Sequence, residues 1–307
     1  MTYGHCVSQD GSCTAAGGPI NLADSSVHSA AVTFSDQYGT GSVSGDIYFG
    51  PYTITGATTT KGYFSVTNNE TGFTNQFQGI LGLSFLGGND GVTATVGQAP
   101  IVSLGLHSVG FYLSNFDDGD SGVFTTNGFD ASHVSGPFNF EAIQSSSGLW
   151  QFDVSNGHIA IGNTMADLSA GGSVNNTVAG TGSTFISIPT RVATTIWGAI
   201  GATNSNAGAS IPCSVPQTGP DVTFTFSKTA YSVPASMYVF DNGDGTCQPV
   251  IVGGAESNGD SVSIFGDIFL RTWIRLLVLT KPSCPSVHFK FYDIANNRIG
   301  FAKAQHP

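Results

Sequence analysis

The chain has 307 residues, of which only 9% are charged, and its formal net charge is −11. Average soluble proteins carry about 25% charged residues, and this glycine-rich, charge-poor mixture disfavours helical bundles and coiled coils. The acidic balance excludes a nucleic-acid binder that works by neutralising phosphates. No apolar run reaches the roughly 18 residues of a membrane span, so neither a nucleic acid nor a membrane is an expected partner.

Apolar and polar residues alternate along much of the chain, a pattern typical of half-buried strands. The clearest predicted strands are Ala31–Ser35, Val222–Phe226 and Val287–Tyr292. Turn signals occur at Asn242–Gly245 and Ala295–Asn297. Helical patterns are few and short: Ile101–Leu106, Val192–Ile200 and Asp267–Trp273. The fold class predicted from these patterns is all-β.

A weak internal repeat predicts two related halves. Phe77–Leu83 and Val262–Asp267 each contain an apolar pair followed by glycine. Two copies favour a two-lobed protein over a solenoid, which needs at least three repeats.

The chain contains five cysteines: Cys6, Cys13, Cys213, Cys247 and Cys284. The first two are close enough to close a small disulfide loop, and Cys213 and Cys247 could close a loop of about 34 residues. Cys284 is left over, because the count is odd. No Cys-x-x-Cys or His-x-x-x-His spacing occurs, so no metal site is expected. No phosphate loop or dinucleotide fingerprint occurs either, so no cofactor is expected.

Several features predict a secreted or vacuolar protein. Basic residues number nine, the pI is about 4.7, and two N-glycosylation sequons occur, Asn69-Glu70-Thr71 and Asn175-Asn176-Thr177. Met1 is followed by polar residues, so this sequence shows no signal peptide at its start.

Five stretches in order resemble the pepsin-like aspartic peptidases, particularly the secreted fungal type. They are Tyr38–Ser42, Phe77–Leu83, Asn127–Asp130 with Gly136, Ser263–Arg271 and Tyr292–Ala302. The resemblance implies a bilobal all-β fold, with one lobe over residues 1–139 and the second over 140–307. It also implies a substrate-binding flap at Tyr38, Gly39 and Thr40, and a second-lobe disulfide between Cys213 and Cys247.

The catalytic motifs depart from this family. Its mechanism needs one Asp-Thr-Gly motif in each lobe, and the second motif falls on Gly180–Thr184, where Thr181, Gly182 and Ser183 are retained but Gly180 replaces the aspartate. The first motif, placed by the repeat spacing, falls upstream of Met1. We therefore expect that both catalytic aspartates are missing, that the first lobe is incomplete, and that a partner chain could cover it. Asp267 resembles a structural residue of the family.

The segment from Ile274 to Lys290 is longer than its counterpart in the family. It is either a hairpin extension, with Ile274–Thr280 as one strand, or translated intron sequence, and the sequence favours the second.

The expected function is that of a truncated, proteolytically inactive pepsin-family homologue. Two alternatives stay open: a pseudo-peptidase that binds a peptide in the interlobe cleft, and a cleft recruited as a non-proteolytic enzyme for a small apolar molecule.

Overall fold

The structure is a computed structural model that describes residues 2–4, 22–39, 41–72, 79–84, 99–115, 118–144, 149–169, 176–205, 208–254, 256–257, 260–278 and 298–307. Within it the chain divides into two compact units, one of Met1–His107 with Ser146–Leu149 and one of Ser108–Ser145 with Trp150–Pro307. The lobe boundary at residues 139 and 140 stays a prediction.

The first unit is built on one five-stranded sheet. Its strands are β1 (Thr2–Gly4), β2 (His28–Gln37), β3 (Ser42–Ile54), β4 (Ala57–Thr71) and β5 (Gly79–Ile80), in the order β2-β3-β4-β1-β5. Thr55 and Gly56 connect β3 to β4, and both have positive φ, as the two central residues of a type I′ hairpin turn require. One short helix, Pro100–Ser103, completes the regular structure described for this unit.

The second unit contains the remaining described strands. They are β6 (Ser108–Tyr112), β7 (Val123–Thr126), β8 (Val134–Ala142), β9 (Gln151–Asp153), β10 (His158–Ile161), β11 (Thr164–Asp167), β12 (Asn176–Ala179), β13 (Ile186–Ser187), β14 (Thr203–Ser205), β15 (Gly208–Ser210), β16 (Val222–Phe226), β17 (Thr229–Val233), β18 (Val239–Asp241), β19 (Cys247–Pro249), β20 (Ile251–Val252), β21 (Glu256–Ser257), β22 (Asp260–Phe265), β23 (Trp273–Val278) and β24 (Arg298–Ala304). Its helices are Thr190–Ala199, Val215–Thr218, Ala235–Tyr238 and Asp267–Thr272, with a 3-10 turn at Ala131–His133.

These strands form three main sheets. A six-stranded sheet has the order β20-β13-β22-β12-β9, with β21 paired to β22; a five-stranded sheet has the order β7-β6-β23-β24-β8; and a four-stranded sheet has the order β11-β10-β16-β17. β14 pairs with β15 and β18 with β19 as separate ribbons. In the six-stranded sheet, β22 runs parallel to β12 and antiparallel to β13. This arrangement places the β12–β13 connection beside the end of β22.

Aromatic rings fill the core of the second unit. The largest side chains with less than 2% exposure include Phe152, Phe224, Phe226, Tyr231, Phe265, Phe269 and Phe301. The rings of Phe226 and Tyr231 stack with their centroids 4.3 Å apart. Burial of one such side chain contributes about 1.5–3 kcal/mol, so this cluster is the main apolar support for the sheets around it.

The structure confirms the all-β class and most predicted elements. Ala31–Ser35 lies in β2, Val222–Phe226 is β16, and the three helical patterns match helices within a few residues. Ile274 to Val278 belong to β23, which pairs with both β6 and β24, so the strand predicted from Ile274 is present as far as Val278. The rest of the segment to Lys290 lies outside the described residues, and its origin as a hairpin extension or as translated intron sequence stays a prediction. The predictions at Val287–Tyr292 and Ala295–Asn297 lie outside the described residues. No described helix combines the length and apolarity that crossing a bilayer demands.

One buried carboxyl makes stability depend on pH. Glu141 in β8 is 6% exposed, and burial raises its pKa although hydrogen bonds from Ser227 and Tyr231 oppose the rise. A group whose pKa is raised on folding contributes fully below its unfolded pKa, and that contribution is lost as the pH rises through the folded value.

We therefore expect Glu141→Gln to gain stability relative to the parent chain as the pH rises from 4 to 7. Urea unfolding followed by tryptophan fluorescence at each pH measures this difference. Glu70→Gln is the matched control, since Glu70 is exposed. A difference that is constant across pH, or that Glu70→Gln reproduces, would contradict the assignment.

Candidate active-site loop

The predicted motif residues lie on one loop, which connects β12 to β13. Gly180 follows the last residue of β12, and its N–H donates to the carbonyl of Phe265, 3.1 Å away. Thr181 and Gly182 are exposed, whereas Gly180 and Ser183 are half-buried. The structure therefore brings all four residues to the same accessible turn.

The start of the helix Asp267–Thr272 holds the other side of this loop. The N–H groups at a helix start have no partner within the helix. Here the N–H of Asp267 donates to the carbonyl of Ser183 at 2.8 Å, and the N–H of Ile268 donates to that of Thr184 at 3.1 Å. These bonds fix the loop backbone against the helix.

Gly266 makes this close approach possible. A Cβ atom at this position would lie 2.8 Å from the carbonyl carbon of Ser183 and nearer still to the backbone oxygens of Ser183 and Phe185. Cβ atoms do not approach that closely, so the contact requires glycine. This contact packs the end of β22, within the stretch Val262–Asp267, against the loop, and the repeat itself stays a prediction.

Gly180 is different, because the space around it is open. A Cβ atom added there would meet only the Cγ1 of Val178, at 3.9 Å. No acidic residue occurs between Val174 and Phe185. The loop therefore has room for a side chain at position 180, and residues 174–185 supply no carboxylate to it.

A buried arginine lies against this loop, and the sequence analysis did not identify it. Arg275 is 4% exposed; its Nη1 donates to the carbonyl of Ala179 at 2.6 Å and its Nη2 to Oγ1 of Thr181 at 3.3 Å. Its guanidinium also lies 4.2 Å from the ring centre of Phe111. The arginine thus binds the residues on both sides of Gly180. The sequence signal that could have identified it is that Arg275 is the single charged residue in the otherwise apolar strand β23.

Burial and Asp267 set the ionisation of this arginine. Burial lowers the pKa of Arg275 to about 9, and the charge of Asp267 opposes that change. Burial raises the pKa of Asp267, while Arg271 and Arg275 oppose the rise. Arg275 is therefore cationic at acidic and neutral pH.

We expect Arg275→Met to destabilise the chain by about 2–3 kcal/mol, because two hydrogen bonds from a charged donor are lost. Urea unfolding measures the loss. The matched control is Arg298→Met, in the neighbouring strand β24, whose guanidinium lies over Phe140 at 4.0 Å from an exposed position. Equal losses in the two variants would show that the contacts of Arg275 with the loop contribute nothing.

The predicted flap is the turn between β2 and β3 in the first unit. The N–H of Tyr38 donates to the carbonyl of Gly41 at 2.7 Å, and Nε2 of Gln37 donates to the carbonyls of both residues. The side chain of Tyr38 is half-buried and packs against the cluster of Phe34, Val43 and Ile47. Gly39 is exposed, and Thr40 lies outside the described residues.

The disulfide between Cys213 and Cys247 is confirmed, whereas Cys6 and Cys13 lie outside the described residues. Asp241 and the two bonded cysteines place their potential ligand atoms within 4.8 Å of one another. Both sulfurs are joined in the disulfide, so they are not thiolate ligands for a metal.

Comparison with known proteins gives consistent matches along most of the chain. The family model described as eukaryotic aspartyl protease matches residues 9–304. Pepsin A of Suncus murinus is 29% identical over 286 residues, covering 91% of this chain and 68% of that protein. Pepsin A of Callithrix jacchus is 30% identical, with 92% and 69% covered, and gastricsin of Homo sapiens is 28% identical, with 93% and 70% covered.

Proposed function

This chain belongs to the eukaryotic aspartyl protease family, and we propose that it is a pepsin-like member without peptidase activity. The observation that carries the proposal is the sequence Ala179-Gly180-Thr181-Gly182-Ser183 on a loop without any carboxylate. The resemblance to the family places the second catalytic aspartate at position 180. The fungal subtype and the lobes at 1–139 and 140–307 belong to the same proposal.

The chemistry of the family explains why the lack of one aspartate is sufficient to abolish peptidase activity. Two neighbouring carboxylates share a proton, so that one acts as the base and the other as the acid toward a single water. Each positioned acid or base contributes about 10²–10⁴ to the rate. Without a carboxylate at position 180 the pair does not form, whatever the other lobe supplies.

Asp267 does not replace the missing group. It is the acidic residue at the start of the helix that holds the loop, and its charge interacts with Arg271 and Arg275. A single carboxylate does not supply the paired acid and base that the mechanism needs, so we assign Asp267 a structural role.

Peptide binding without cleavage is the second candidate function. The hairpin formed by β2 and β3 is retained, and Tyr38 is anchored on its apolar cluster. A family member that keeps this hairpin and lacks the carboxylate can hold an extended peptide yet leave it intact.

A secreted or vacuolar location is part of the proposal. The disulfide between Cys213 and Cys247 and the sequons favour it, because disulfides persist in oxidising compartments.

The proposal is tested by titrating the purified chain with a statine-containing peptide at pH 4.5 in a calorimeter. The chain is then incubated with a mixture of defined peptides, and the products are analysed by mass spectrometry. We expect binding heat and intact peptides. Cleavage that the inhibitor blocks would overturn the proposal that the chain is inactive. Intact peptides together with an absence of binding heat would overturn only the peptide-binding role.

A further inference from the structure

The residues of the two N-glycosylation sequons differ in their exposure to solvent. The first, Asn69-Glu70-Thr71, forms the end of β4, and all three residues are exposed, as are Asn68 and Gly72 on either side. Five consecutive exposed residues leave space for a bulky modification around the Asn69 amide. Among the described residues, the side chain of Asn69 forms no hydrogen bond that would have to be broken.

The second sequon is placed differently. Thr177, its third residue, is 0% exposed and lies in β12, which is paired on both sides, with β9 and with β22. The oligosaccharyltransferase that attaches N-glycans recognises the hydroxyl of the third sequon residue together with the asparagine. In the folded chain Thr177 is fully buried, whereas the side chain of Thr71 is exposed and its hydroxyl forms a hydrogen bond of 2.8 Å with that of Ser42.

The strand pairing around Asn69 also favours modification. β3 covers one side of this end of β4, with Ser44 opposite Asn69 and Ser42 opposite Thr71. On the other side, β1 pairs with β4 only at residues 65–67. The described strands therefore leave the last residues of β4 as an open edge, which a glycan would shield from edge-to-edge association.

From these observations we propose that Asn69 is an N-glycosylation site. Transfer forms a bond between Nδ2 of Asn69 and the anomeric carbon of an oligosaccharide. It breaks the bond from that carbon to a lipid diphosphate donor, which leaves with the electron pair, and the amide releases one proton. The glycan lies close to the Tyr38–Gly41 turn, since Thr71 is paired with Ser42, the residue that follows this turn.

The experiment is to express the full chain in yeast behind a secretion leader and to release N-glycans by amidase in H₂¹⁸O. Mass spectrometry then maps each asparagine that has become ¹⁸O-labelled aspartate. We expect the label at Asn69 in the parent chain. An unlabelled Asn69 in the secreted chain would overturn the proposal.

Four variants test the recognition. Asn69→Gln and Thr71→Ala are expected to lose the glycan, whereas Thr71→Ser retains it because the hydroxyl is kept. Asn175→Gln is expected to leave the label at Asn69 unchanged. Retention of the glycan in Thr71→Ala would show that modification does not follow the sequon, and would also overturn the proposal. This result is independent of peptidase activity.

Discussion

Gly266→Ala is expected to destabilise the chain by about 3 kcal/mol or more. The new methyl group would overlap the backbone of Ser183 and Phe185, and backbone cannot rotate away as a flexible side chain can. Relief requires the loop to move, which breaks the hydrogen bonds from Gly266, Asp267 and Ile268. Overpacking costs about 1–3 kcal/mol, and each lost hydrogen bond adds about 1 kcal/mol.

The matched control for this variant is Gly180→Ala, on the facing loop. Its methyl group would have only the Cγ1 of Val178 in contact, at 3.9 Å, so we expect a change within about 0.5 kcal/mol. Urea unfolding of both variants gives the comparison. Similar urea midpoints of unfolding for the two variants would mean that the loop and the start of the helix do not pack as described.

Removal of the Cys213–Cys247 disulfide is expected to cost about 4 kcal/mol. The bond closes a loop with a sequence separation of 34 residues, and the chain-entropy relation gives about that value for such a loop. Cys213→Ser with Cys247→Ala removes the bond and puts the polar hydroxyl at the exposed position and the methyl at the buried one.

The free energy of unfolding in urea measures this loss, and the parent chain without reductant is the reference. The double variant avoids reduction of other cysteines, so the effect belongs to this bond alone. A loss below about 1 kcal/mol would mean that the bond does not restrain the unfolded chain as the relation assumes.

The sequence predicted the elements whose signals are local. The alternation of Val222–Phe226 identified β16, because that pattern is contained within a few neighbouring residues. The position of the Gly180–Ser183 motif came from the resemblance to the family. The cysteine pair 213 and 247 came from the resemblance to the family, which carries long-range information.

The sequence could not predict contacts between distant segments. Arg275 lies opposite Phe111 through the pairing of β23 with β6, and nothing near either residue specifies that pairing. The packing of Tyr38 against Phe34, Val43 and Ile47 depends likewise on the register of the β2–β3 hairpin. Side-chain environments of this kind follow from tertiary structure, so Arg275 was missed, and a strand over Ile274–Thr280 was only the less favoured of two alternatives.

The most direct measurement is the rate at which the homogeneous chain cuts an internally quenched peptide between pH 3 and 5, with and without a pepstatin-type inhibitor. Since Gly180 leaves water with no carboxylate partner on this loop, we predict equal background rates in both samples. A rate above background that the inhibitor abolishes would contradict the account.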